Sequence, residues 1–313
     1  MVFKFRILEI TIITFIGFSI TLEYIFKING AECSSVNNHS NWVVFAKRTV
    51  NKKKEGILLG DSRTRGNIDS EKLSIITNIN FNQLAYENIP YIGILDYLNS
   101  SCNNKIFVVG ISNSTFDGVL MDSNSKNLIS KLIKTNYINL TNSLIDIYLT
   151  NTFCTLNPKY NIKSAIFNRS LWATKKNEFR FKKNRDLDAS YLGPDIENFN
   201  LFYKNKSDHI NKQRMMVAFN KIDHVKAILL KLKDKTILNG NKIIFIFHPL
   251  SGPYFEADNI ALYSSGELKD CIKDCGFNII DFDKGKYDTS DFSHVDLFQK
   301  NEFTLEVGRL ILK

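Results

Sequence analysis

Five short apolar runs punctuate the chain: Gly56–Gly60, Ile79–Leu84, Lys105–Gly110, Lys242–Phe247 and Phe277–Phe282. Each is rich in β-branched or aromatic residues and is bounded by polar or turn-forming ones, which predicts buried strands. Between the runs the apolar positions change to helical spacing. Pro90–Asn99 carries a proline near its first turn, where the missing N–H costs nothing. Met215–Lys235 is long and amphipathic around Leu229, Leu230 and Leu232, Ser265–Cys275 precedes the last strand, and Glu302–Leu312 reads as a closing helix. Alternating strands and helices fold as crossovers onto a parallel sheet covered on both faces. The pattern therefore predicts an α/β protein, a three-layer flavodoxin-like sandwich.

Two stretches depart from that pattern. Ile7–Phe26 is an apolar stretch of twenty residues whose only charges are Glu9 and Glu23. That is about the length needed to cross a bilayer as a helix, and it exceeds the apolar region of a signal peptide. Lys4 and Arg6 precede it, so the positive-inside rule places the N-terminus in the cytoplasm and the following domain outside. Cleavage is not expected, because Asn29-Gly30-Ala31 is a poor small-x-small site and Cys33 follows Glu32. The competing reading is a buried core helix. The second departure runs from about Thr115 to Met215, roughly a hundred residues where a crossover needs a dozen or more. Its first part, Asn127–Leu149, has helical apolar spacing; Phe167–Phe202 is polar, aromatic and basic. The expected organisation is thus an anchor over residues 1–30 and one domain over 31–313, with a large insertion at about 115–215 that flanks the site.

Composition is consistent with one domain: 313 residues at 44% hydrophobic content can bury a sizeable core. The net charge of +9 does not choose a partner. In the insertion, Lys175, Lys176, Arg180, Lys182, Lys183 and Arg185 interleave with Phe179 and Phe181. A solvated loop is the plainer reading, an acidic glycan or anionic headgroup the functional one; outside the cytoplasm no nucleic acid is expected.

The chemistry lies in two short motifs far apart. Gly60-Asp61-Ser62-Arg63 closes the first strand, and Asp291-Phe292-Ser293-His294 stands about twenty residues before the end. A serine hydroxyl becomes a nucleophile when a base takes its proton, and imidazole is that base when a third group fixes its tautomer. The motifs hold all three groups, and Ser62 falls on the turn at a strand's carboxyl end, where open α/β sheets place their sites. An ordinary helix N-cap at Asp61-Ser62 and a surface loop at Asp291–His294 are the alternatives.

At these residues the chain resembles the SGNH/GDSL hydrolase superfamily, whose first block is Gly-Asp-Ser and whose last is Asp-x-x-His. The resemblance implies Ser62 as nucleophile, His294 as base and Asp291 as orienter, with Ser62 in hydrogen-bond reach of His294 and Asp291 on the far ring nitrogen. Its middle blocks are less well kept. The second should hold a glycine whose N–H binds an oxyanion, but Asn80–Asn88 contains none; Asn88 is the substitute. In the third, Gly110-Ile111-Ser112-Asn113 is one residue longer than the usual Gly-x-Asn, with Asn113 as side-chain oxyanion donor beside Gly110. An Asx-turn role is the alternative for Asn113.

The five cysteines show no zinc-ligand spacing with a histidine, and Cys271 and Cys275 are spaced for helix packing. A bridge through Cys33, Cys102 or Cys154 stays open. His248, in Phe247-His248-Pro249, shares the sheet edge of the site and reads first as a structural strand-end residue; His39, His209 and His224 have no partner motif. No metal and no cofactor are expected.

A Ser-His-Asp set with an oxyanion hole handles acyl esters. The resemblance, with an outward-facing anchored domain, implies the branch that modifies cell-surface polysaccharides, often alongside a multispanning membrane O-acyltransferase. The expected function is a serine esterase or O-acetyl transferase acting on an acylated surface glycan. A lipase with an apolar acyl tunnel and a non-catalytic glycan-binding scaffold remain as alternatives.

Overall fold

The computed structural model describes residues 2–28, 39–52, 55–86, 91–112, 115–116, 123–153, 156, 180–181, 187–188, 222–252, 255, 264–283, 285–289 and 292–313. Five strands form one parallel sheet: β1 (Gly56–Leu59), β2 (Phe81–Gln83), β3 (Ile106–Ile111), β4 (Lys242–Phe247) and β5 (Asn278–Ile280), in the order β2-β1-β3-β4-β5. All five coincide with the expected apolar runs: Lys242–Phe247 matches at both ends, and the other four are trimmed or shifted by one to two residues. Leu59 pairs with Val109, and Gly110 with Ile246. The chain reverses its direction of travel across the sheet between β1 and β3, so the crevice at their carboxyl ends is the natural place for a site.

Successive strand residues point to opposite faces, and both faces are buried. On one, Ile57, Leu59, Phe107, Val109, Ile243 and Phe245 pack under α2 (His39–Asn51), α5 (Ile92–Ser101), α6 (Ser123–Lys134), α8 (Ile222–Leu238) and α9 (Ser264–Asp274). On the other, Leu58, Val108, Ile244, Ile246 and Ile280 pack with Ile68, which follows α3 (Ser62–Asn67), with Leu73 of α4 (Ser70–Thr77), and with Phe303, Val307 and Ile311 of α10 (Lys300–Leu312). Burial on both sides explains why the strands read as continuous apolar runs instead of alternating ones.

Two helical readings differ from expectation. Asn127–Leu149, expected as one stretch, is two helices, α6 and α7 (Tyr137–Thr152), broken where the Asn136 side chain caps α7 by accepting from Asn139 N at 2.9 Å. The start expected at Met215 lies outside the described residues. Helix α2, absent from the sequence reading, buries Trp42, whose indole N–H donates to Leu84 O at 2.9 Å and ties α2 to the end of β2. Within the insertion, Arg180–Phe181 pairs antiparallel with Leu187–Asp188, and the latter strand runs beside α3.

Helix α1 (Val2–Ile28) has 27 residues, and its Glu9–Phe26 segment has a mean hydropathy of 1.5, with 11% of that segment buried. It is long and apolar enough to cross a membrane. Three of its hydroxyls are satisfied within the helix: Thr14, Ser19 and Thr21 each donate to the carbonyl four residues back at 2.8 Å, which suits an apolar surrounding. Cys102, Cys271 and Cys275 are buried and unbridged. Burial, reinforced by Cys275, pushes the Cys271 thiol up to about 11. Cys33 and Cys154 lie outside the described residues.

Candidate active site

Strand β1 ends in a turn that only glycine fits. Gly60 has φ 143°, and a Cβ there would lie 2.1 Å from Thr64 Oγ1. Its carbonyl accepts from Tyr86 N at 2.9 Å, which draws the chain after β2 alongside the turn. Asp61 caps α3 by accepting from Arg63 N at 2.9 Å, and its other oxygen lies 3.8 Å from Arg63 Nε. Ser62 is the first helical residue, half-buried at the carboxyl end of the sheet. The N-cap and the candidate nucleophile therefore coexist: the cap belongs to Asp61 and leaves the Ser62 hydroxyl free of that duty.

The second motif arrives at the same helix. His294 is buried, and its ring lies on Gly66; a Cβ on Gly66 would be 2.6 Å from His294 Cδ2 and 3.5 Å from Nε2. Gly66 stands one helical turn from Ser62 on the same face, about 6 Å along the helix surface. The next residue, Val295, donates its N–H to Asn67 Oδ1 at 2.9 Å. Phe292 is held at φ 66°, a region costly for a bulky residue, and its carbonyl accepts from Ser251 N at 3.1 Å. A bridge between Thr289 and Val295 closes the loop. The histidine is thus braced from α3 on one side and from the segment after β4 on the other.

The Nδ1 of His294 lies 3.1 Å from Ser293 Oγ. No direct hydrogen bond joins Ser62 to His294 Nε2; contacts of this kind are often long in unliganded sites and tighten with substrate. Asp291, Asn88 and Asn113 lie outside the described residues. Gly110 lies within β3, and the Tyr91 hydroxyl donates to its carbonyl while also meeting Thr115 Oγ1. Burial, with the Asp61 charge second, pushes the Tyr91 phenol well above its ordinary range, so it stays a neutral donor.

Thr64 gained no role from the sequence, and His248 was read first as a structural strand-end residue. Thr64 Oγ1 and His248 Nε2 are 3.0 Å apart and buried. A Cβ on Gly110 would be 1.9 Å from Thr64 Oγ1 and 2.7 Å from His248 Nε2, so this glycine is required by the pair. His248 is pushed down to about 3, first by burial and then by the charges of Arg63 and His294, and is neutral at physiological pH. The signal in the sequence was a histidine directly after a buried strand; its partner, in another motif, was not legible. No protein-family model matches the chain, and no curated protein matches it.

Proposed function

We propose that the chain is a serine acyl-ester enzyme of the SGNH/GDSL type, anchored by α1 and facing outward, that transfers or removes O-acetyl groups on a cell-surface glycan. The observation that carries the reading is the convergence on α3. Ser62 opens that helix, and the imidazole of His294, over two hundred residues later, lies on its Gly66 and is pinned by Val295 to its Asn67. The strand order, 2-1-3-4-5, is that of flavodoxin-like sheets and supports the fold part of the proposal.

In this reading His294 Nε2 takes the Ser62 proton as Oγ attacks the ester carbonyl. The tetrahedral oxyanion is met by the Asn113 side chain and a backbone N–H near Asn88 or Gly110. Collapse breaks the ester C–O bond, the proton passes from His294 to the leaving alkoxide, and acyl-Ser62 remains. Water or a sugar hydroxyl, deprotonated by His294, then takes the acyl group and restores Ser62. Asp291 orients the imidazole. The apolar Glu9–Phe26 segment of α1 and the basic residues Lys4 and Arg6 in the first turns of that helix support an outward domain, and a multispanning O-acyltransferase is the partner that would supply acyl groups.

Replacing Ser62 by Ala in the native host tests this. The O-acetyl content of a surface polysaccharide should fall for a transferase and rise for an esterase. Unchanged acetylation, with unchanged ester hydrolysis by folded, membrane-bound variant, would replace the enzyme by a scaffold.

A further inference from the structure

We infer that His248 and Thr64 form a latch that seats the Ser62 helix on the sheet, which makes both of them positioning residues for acyl transfer. The inference rests on the proposed function and adds to it two residues outside the Ser-His-Asp set.

Helix α3 has six residues, too few to hold a fixed orientation by itself. Thr64 supplies the anchor. Its hydroxyl lies over the sheet between the Cα atoms of Gly60, at the end of β1, and Gly110, in β3, where a Cβ on either would come within 2.1 Å of it. From there it reaches across β3 to His248 at the end of β4, at 3.0 Å. Three adjacent strands thus meet at one hydroxyl, two residues from Ser62. Two glycines and a histidine are committed to a single hydrogen bond.

The latch carries a cost that a purely structural contact would avoid. His248 Nδ1 is buried and has no hydrogen-bond partner among the described residues, and a buried polar atom left this way calls for an explanation. A leucine or phenylalanine would fill the space with no such atom; the ring already packs near Phe303, with centroids 6.1 Å apart. The histidine offers what those residues lack, a ring nitrogen for Thr64. Neutrality matters as well. The charged or titratable groups acting on the ring are Arg63 and His294, and a second imidazolium beside them would oppose protonation of His294 during acyl transfer. A neutral imidazole holds the helix without that penalty.

The test uses the full chain in detergent micelles with p-nitrophenyl acetate as substrate, alongside wild type and Ser62→Ala. Thr64→Val is isosteric and replaces only the hydroxyl by a methyl group; His248→Leu removes the ring nitrogen; His248→Gln keeps an amide group that can hydrogen-bond Thr64 in either direction. Thr64→Val and His248→Leu should each lower kcat about ten- to a hundredfold with KM little changed, as a misplaced nucleophile does. The double variant should be no slower than either single one, since both changes break the same bond, and His248→Gln should recover most of the loss. The labelling rate of Ser62 by a fluorophosphonate should follow kcat. Wild-type kcat in Thr64→Val, or additive losses with no recovery in His248→Gln, would overturn the latch. If Ser62→Ala hydrolyses as fast as wild type, the proposed function itself fails; a dead Ser62→Ala beside unaffected latch variants removes the latch alone.

Discussion

Gly66→Ala separates packing from chemistry. The substitution adds one methyl group to α3, and the new Cβ would lie 2.6 Å from His294 Cδ2, so the ring must retreat by about 0.8 Å to regain an ordinary 3.4 Å contact. The helix itself gains from the change, since alanine is favoured over glycine by up to ~1 kcal/mol in a helix interior. Folding stability should therefore stay within about 1 kcal/mol of wild type. Activity should not. A base displaced by about 1 Å from its productive position costs on the order of a hundredfold in rate, or about 2.7 kcal/mol of transition-state stabilisation. Turnover of p-nitrophenyl acetate should fall by about that factor while KM changes little, and far-UV circular dichroism and denaturation midpoints should remain near those of wild type. If Gly66→Ala is folded and its kcat lies within twofold of wild type, His294 is not the base for Ser62.

Two further predictions concern stability and topology. His248 titrates at about 3 in the fold against 6.5 ordinarily, so protonation favours the unfolded chain: its contribution is full above pH 6.5 and is lost as pH falls toward 3, about 2 kcal/mol of it by pH 5. Denaturant unfolding followed by tryptophan fluorescence should show that loss between pH 7.5 and 5 in wild type and not in His248→Leu; equal pH dependence in both would refute the buried neutral state. Deleting residues 1–27 should release the domain from the membrane, and a reporter active only outside the cytoplasm, fused after Lys313, should be active; an inactive fusion at normal expression would reverse the orientation.

The sheet was legible because its strands are buried on both faces and so announce themselves as apolar runs, with Lys242–Phe247 matching the expected bounds. Helix α2 was not. Its buried residues, Trp42, Val43, Val44 and Ala46, stand nearly side by side in the sequence instead of at helical spacing, and the hydrogen bond from Trp42 to Leu84 joins segments that sequence spacing cannot relate. The break at Asn136 was hidden for a related reason: an N-cap inside a continuous helical pattern acts through one side-chain bond, while the apolar period runs on across it. At the candidate site, Ser62 and His294 could be proposed from sequence because the chemistry they are proposed for depends on residue type in short motifs. The roles of Gly66, Asn67, Thr64 and His248 depend on which strand ends and helix faces meet, and those contacts span up to 228 positions in the chain. Glycines were the least legible: Gly110, expected near the oxyanion, lies where a side chain would displace the Thr64–His248 pair.

The proposed activation of Ser62 by His294 is read out by covalent labelling. Full-length protein in detergent is treated with a fluorophosphonate probe, and the adduct is located by mass spectrometry. One adduct per chain is expected, on Ser62, lost in Ser62→Ala and slowed by several orders of magnitude in His294→Ala. A folded wild-type protein that takes up no probe, or that labels Ser62 equally fast without His294, would contradict it.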